Sequence, residues 1–307
     1  VDVDGLWAVR ACYGKAEEAS YDQDPCWSEG VPLLRDEFKR AGAAAAFFLV
    51  GRDLRHPGKR REAAKLVAEG FEIGNHSYTH RIGLTRMNAV RLQTELERTA
   101  ASLAELGIRR WGFRAPGYDV DGRIYTAAVT AGALYDASLL GTFLMPALRL
   151  ADAWMARRWD PRKRQFGRLA HGLAPTEPYY PDGLRLHMRG AGAIAEVPVC
   201  TTPLVGLPLT AATLFSLGRT GVRVLFERLA ARRRVVLLLL HAIDGVDCRQ
   251  PIVFGDRTPK LGGFALSTGQ KRARVRMIVE EFVRVFQVVR ADDWILRNMP
   301  PRSTGSC

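Results

Sequence analysis

Histidine and cysteine are both scarce in this chain of 307 residues, which has six of the first and five of the second. Cys12, Cys26, Cys200, Cys248 and Cys307 are odd in number and scattered, with no CxxC pair among them. That excludes a disulfide framework and a thiolate zinc finger, and it suits a reducing compartment. Long apolar runs are missing as well. The longest, "VVLLLL" at 235–240, falls far short of the ~18 residues that read as a membrane-spanning helix. No internal repeat or low-complexity tract is present, and 47% of residues are hydrophobic against 25% charged. This is the composition of a globular chain with ample core, read as one domain over 1–307.

Acid is short relative to base. Lys and Arg number 45 against 32 Asp and Glu, a formal charge of +13. Such an excess suits phosphate, anionic lipid or nucleic acid. Nothing interleaves aromatics with runs such as Arg232–Arg234, and no nucleic-acid reader motif appears, so nucleic acid is not expected as a partner. The chain opens on "VDVDG" with no visible signal peptide. A cytoplasmic location is expected, and a leader lost ahead of Val1 stays an open alternative.

Short apolar segments alternate with amphipathic ones. Helices are expected at 31–42, 59–70, 85–107, 122–132 and 268–286, several closed by glycine, and strands at 43–51, 71–75, 111–114, 133–139, 193–199 and 234–242. This rhythm predicts an α/β fold with parallel strands, open or closed into a barrel. The stretch 140–192 interrupts it. Residues 142–159 form an apolar helical pattern that runs into Arg157, Arg158, Arg162, Lys163 and Arg164.

Parallel α/β folds carry their chemistry at the carboxyl ends of strands. The polar residues expected there are Asp2, Asp4, His76, His80, Arg114, Asp136 and His241. Asp2 and Asp4, one residue apart on a strand, share a face. "HSYTH" is expected to bring His76 and His80 to one side of a helical turn, and one added carboxylate makes a three-ligand set suited to Zn²⁺. Taken singly, a decorated helix start or a solvated strand end explains each motif as well. Trp7, Trp27, Tyr179 and Tyr180 are candidates to stack on a sugar, although aromatics are more often core.

In order and spacing these motifs resemble the polysaccharide deacetylase family with the NodB homology domain, carbohydrate esterase family 4. "VDVDG", "AAFFLVG", "HSYTH", "FRAPGY", "YDASL" and "LLLLHA" are similar to its successive motifs, closely over residues 1–140 and loosely over 193–295. The resemblance implies a distorted (β/α) barrel of about seven strands and a metal-dependent amide hydrolase. It implies that Asp4, His76 and His80 bind a divalent metal, most simply Zn²⁺, with Co²⁺, Mn²⁺ or Ni²⁺ as alternatives. Asp2 would be the base, Arg114 its orienting partner and His241 the acid. Gly117 would bind the oxyanion, with Tyr118 beside it at the substrate. Asp136 would tune the acid histidine, although the tryptophan that normally follows is missing.

The expected reaction is removal of an N-acyl group, most simply acetyl, from an amino sugar. "HAID" and "EVPVCTTPLVGLPL" (196–209) look like the branch of the family that deformylates a polyprenyl-linked amino sugar. Together with the apolar and basic segment at 140–192, they make a lipid-linked substrate and a peripheral contact with an anionic membrane further expectations. A helix packed on the barrel accounts for that segment equally well. A basic protein that only binds glycans or nucleic acid is the alternative outside enzymology.

Overall fold

A computed structural model describes residues 1–12, 24–150, 167–254 and 263–302. Five short parallel strands carry the first half of the fold. They are β1 (Asp2–Val3), β2 (Ala46–Leu49), β3 (Glu72–Asn75), β4 (Tyr135–Asp136) and β5 (Ala195–Glu196). β1, β2 and β3 pair in that order, with Asp2 opposite Phe48 and Phe48 opposite Gly74. Isolated parallel bridges extend the ladder from Asn75 to Phe113 and from Phe113 to Asp136, and β4 pairs with β5. On the other side Asp2 bridges His241. Seven segments therefore lie side by side: 239–241, β1, β2, β3, Phe113, β4 and β5.

The barrel expected from the resemblance does not close among the described residues. The outer edge of β5 is taken by Tyr179, whose backbone exchanges two hydrogen bonds with Glu196 in antiparallel sense. The far side of the 239–241 segment is bridged by Thr210. Between Val197 and Leu237 an apolar cavity of about 390 Å³ occupies the opening. The run 234–242, expected as a full strand, pairs only at isolated points because side chains take its donors. Glu177 accepts from the backbone N–H groups of Arg234 and Val235, and the Cys200 thiol accepts from Leu237 N–H.

The helices follow the sequence pattern closely. α1 (Leu6–Cys12), α2 (Val31–Arg40), α3 (Pro57–Ala68), α4 (Ala89–Ala104) and α5 (Gly122–Thr130) surround the strands, followed by Arg219–Ala230, Thr268–Val285 and Ala291–Asn298. The expected start of α4 at Thr85 is moved to Ala89. Thr85 is engaged by the Asp119 carboxylate through its N–H and hydroxyl, and Asn88 caps the helix by accepting from Arg91 N–H. Asp121 caps α5 through the N–H groups of Arg123 and Ile124. A capping box of Ser267 and Gln270 starts Thr268–Val285.

In the expected insertion, residues 145–150 are helical. Trp154, Met155 and the basic cluster from Arg157 to Arg164 lie outside the described residues. No helix among the described residues is long and apolar enough to cross a membrane.

Candidate active site

β1 runs directly into the site. Asp2 is buried within it and Asp4 lies just past its end, followed at once by Gly5. A Cβ on Gly5 would come within 2.6 Å of Asp53 Oδ2 and 2.9 Å of Asp24 Oδ2, so only glycine lets the chain turn there. Beneath the turn, Lys59 is buried between those two carboxylates at 2.7 and 2.8 Å, and Asp24 accepts from Leu6 N–H. Trp7 and Trp27 both donate their indole N–H to Asp53. This ion triad props up the loop that carries Asp4.

His76 and His80 follow β3, but not on the helical turn expected of them. Residues 76–80 form an open bend in which Ser77 and His80 both have left-handed backbone, at φ 62° and 47°. Such conformations cost free energy for residues with a side chain, and here several bonds hold them. Asn75 accepts from Ser77 N–H, Ser77 Oγ accepts from His80 N–H, and Glu95 of α4 accepts from the N–H groups of Tyr78 and Thr79. The bend does what a helical turn would have done. The ring centroids of His76 and His80 lie 5.0 Å apart.

Asp4, His76 and His80 converge. Their ligand atoms all lie within 4.8 Å of one another, with Asp4 Oδ1 3.3 Å from His76 Nε2 and 3.0 Å from His80 Nε2. Asp4 Oδ1 is buried and makes no well-formed hydrogen bond. Burial opposes its charge, but attraction to His80 and His76 outweighs this and holds the carboxyl well below its usual range. His76 Nδ1 is 2.7 Å from the Arg114 carbonyl oxygen, which fixes the ring and leaves Nε2 free to face Asp4. An ionised carboxylate oxygen and two imidazole nitrogens aimed at one point fit a divalent cation.

Asp2 and Arg114 stand behind these three. Arg114 follows the Phe113 bridge and is fully buried. It donates Nη1 to Asp2 Oδ1 at 3.1 Å and Nε to the Ala137 carbonyl at 3.0 Å, and it stacks over Phe48. Burial pushes the Asp2 carboxyl up, yet Arg114 and the neighbouring imidazoles pull it below its ordinary value. His241 Nε2 lies 3.7 Å from the other Asp2 oxygen. Burial lowers the His241 pKa, but Asp244, then Asp2, overcome this and push it up to about 9.

Asp244, three residues after His241, is the site residue that motif reading missed. Its carboxylate accepts from His241 N–H at 2.7 Å and faces Nδ1 at 3.8 Å. The signal was present as the last letter of "HAID". The resemblance assigned this tuning to Asp136, which the structure places elsewhere. Asp136 is fully buried beyond Arg114, and Ser138 Oγ donates to its carboxylate. Burial pushes Asp136 up to about 7. Glu196 is raised by burial and by Asp136, and it accepts from Leu139 N–H.

Gly117 and Tyr118 form a left-handed turn at φ 63° and 58° after Pro116. Burial and the Asp2 charge push the Tyr118 hydroxyl up, so it stays neutral beside the carboxylates. Of the candidate sugar platforms, Trp27 and Tyr179 are buried and Tyr180 is covered by Arg302, whereas Trp7, largely buried, still lines a cavity. Beside His80 a cavity of about 620 Å³ is lined by Trp7, Thr79, Arg81, Arg86 and Arg91, which is room for a sugar residue.

Parallel strands ending in a buried Asp-His-His cluster, with a second carboxylate and an imidazole behind it, form a layout suited to metal-assisted hydrolysis. The comparisons narrow that class. The sequence model described as polysaccharide deacetylase matches residues 18–135, which contain His76, His80, Arg114 and Gly117 but neither Asp2, Asp4 nor His241. A putative polysaccharide deacetylase from Mycobacterium smegmatis has a similar fold, with TM-score 0.53 and 19% identity over 91% of this chain and 81% of that one. A family 4 carbohydrate esterase from Streptomyces lividans, solved with acetate, aligns over 83% and 82% at 12% identity and TM-score 0.41, too low to carry an argument. A comparison with curated proteins returns no match. Residues 18–135 are thus similar to polysaccharide deacetylases in sequence, and the chain as a whole shares the fold of the Mycobacterium smegmatis protein.

Proposed function

We propose that this site removes the N-acyl group from an amino sugar with a divalent cation held by Asp4, His76 and His80. The observation that carries the reading is the pairing of two differently tuned groups beside the ligand cluster. Asp2 is kept ionised by Arg114, and His241 is kept protonated by Asp244. The cation would supply Lewis acidity to the amide carbonyl and to the attacking water. Asp2 takes the proton from that water, with Arg114 holding the carboxylate in position. His241 gives its proton to the departing nitrogen, the step an amide needs because an unprotonated amine leaves poorly. The backbone N–H groups of the turn at Gly117 and Tyr118 would donate to the developing oxyanion. N-acetyl is the acyl group that the family match favours, and N-formyl is the alternative.

The test is amine release from an N-acetylated amino-sugar oligomer, with and without chelator, followed by readdition of Zn²⁺, Co²⁺, Mn²⁺ or Ni²⁺. Turnover that needs the cation, and falls about 10²–10³-fold in Asp2→Asn while bound metal stays, supports the reading. Undiminished turnover after exhaustive chelation overturns it.

A further inference from the structure

Large apolar side chains exposed to solvent are not spread evenly over this molecule. Thirteen occur among the described residues, and seven fall in three segments: 143–150, 169–173 and 204–207. Phe143 is 66% exposed, Leu173 79% and Leu204 74%. Such side chains are unremarkable singly and meaningful when contiguous.

The three segments touch. Thr142 Oγ1 donates to the Gly206 carbonyl, and a Cβ on Gly206 would strike the Phe143 ring at 2.7 Å. One on Gly172 would come within 2.6 Å of the Thr142 carbonyl oxygen, and one on Gly141 within 2.5 Å of that of Ala174. The apolar side chains therefore form one surface. It lies at the mouth of the site, because 137–150 and 197–208 leave the carboxyl ends of β4 and β5. Leu140, Met145, Val199 and Leu239 form the buried layer beneath it, and Tyr118 packs on that layer.

The tip of the third segment is built to stay out. Thr201 and Pro208 bridge in antiparallel sense, Thr202 N–H donates to the Leu207 carbonyl, and Gly206 N–H donates to the Thr202 carbonyl. Within this frame Leu204 has φ 70°, a left-handed conformation unfavourable for leucine. A frame that holds Leu204 and Val205 outward against that cost marks the tip as an interaction element rather than a loose loop.

Charge selects the partner. Segments 142–150, 167–174 and 201–208 contain no Asp or Glu, and Arg149 and Arg168 stand among their apolar residues; Arg168 is paired with Asp121 at 3.1 Å, whereas Arg149 donates to the Gly167 carbonyl. The whole chain carries +13. An apolar surface edged by arginine, whose three segments supply no carboxylate of their own, complements an anionic bilayer, where acyl chains receive the leucines and headgroups receive the guanidinium of Arg149. We propose that the rim formed by Phe143, Leu169, Leu173, Leu204 and Val205 docks the mouth of the site on an anionic lipid surface. Resting on the deacylase reading, this makes the substrate an amino sugar carried on a lipid, its amide presented from the bilayer to the Asp4 cluster.

The test uses the metal-loaded chain and two variants, Leu204→Ser/Val205→Ser and Phe143→Ser. Co-sedimentation is measured with vesicles of phosphatidylglycerol and phosphatidylcholine, and with phosphatidylcholine alone, at low and high salt. The expected result is binding to the anionic vesicles that weakens with salt and falls at least tenfold in the double variant. The turnover of a water-soluble sugar amide is expected to be unchanged. Absence of binding at low salt, or binding that the variants leave intact, overturns the proposal. So does sedimentation equilibrium showing a wild-type oligomer that the double variant dissociates, since the rim would then be an interface between copies. Vesicle binding is read without turnover, so failure of the docking proposal and failure of the deacylase reading are separately visible.

Discussion

Asp4 and His76 follow strands whose parallel register runs without a break from β1 to β3. Among the described residues, His241 ends a run whose backbone bridges its neighbours at Leu239 and at His241 itself. The ligand cluster is thus set by backbone ladders and by the buried supports Lys59 and Glu95. The proposed acid, His241, is tuned by one carboxylate above all, Asp244, three residues along the same turn. Backbone register fixes a side chain from many bonds at once, whereas a single local contact fixes it from one. Damage to the first half should abolish chemistry, and damage to the second should retune it.

The largest expected effect comes from the ligands. His76→Ala should lower kcat/KM by about 10⁴-fold, since the cation's electrostatic share amounts to several kcal/mol. A residual rate within tenfold of the parent would remove His76 from the machinery.

Asp2→Asn should cost about 10²–10³-fold in kcat with bound metal unchanged, the usual size of a lost general base. Loss of metal together with the rate would instead make Asp2 a ligand, and the two-carboxylate division of labour would fall.

Asp244→Asn sharpens the comparison further. Asp244 raises the His241 pKa, so removing its charge lowers that pKa. The basic limb of the pH–rate profile should then move to lower pH by on the order of one unit, with less than about tenfold loss at neutrality. If the limb moves in Asp136→Asn and stays put in Asp244→Asn, the assignment of the tuning residue is reversed.

The smallest effect is thermal. Asp136 is pushed up to about 7 from an ordinary value of 3.8, so the folded chain keeps a proton that the unfolded chain releases. Its contribution to stability is complete below 3.8 and is lost as pH rises through about 7. Asp136→Asn should therefore gain on the parent in Tm between pH 5 and pH 8, by on the order of a few degrees. A Tm difference that does not change with pH would show that Asp136 is ionised throughout.

The regular half of the molecule was legible because its signals are local. Glycine stops after α2 and α3 put those helix limits within a few residues of the structure. The convergence of Asp4, His76 and His80 was legible from "VDVD" and "HSYTH", although the helical turn expected for the latter is a left-handed bend maintained by Asn75, Ser77 and Glu95. Those bonds connect residues up to 17 positions apart, and no periodicity records them. The run "VVLLLL" read as a strand because its apolar character is real. Whether it pairs depends on Glu177 and Cys200, which reach its N–H groups from distant parts of the chain. The role given to Asp136 came from resemblance alone, while Asp244 lay in view beside His241. The exposure of Leu204 and Val205 could not be read from "PLVGLPL", where leucine and valine suggest core.

The most direct test of the account is the metal content of purified protein saturated with Zn²⁺ and dialysed, measured by elemental analysis beside X-ray absorption at the zinc edge. One zinc per chain is expected in the parent and in Asp2→Asn, with a first shell of two imidazole nitrogens and oxygen. Asp4→Ala and His76→Ala should each lose most of it while keeping the parent's circular dichroism spectrum. Full zinc occupancy with an unchanged first shell in both ligand variants would contradict the account.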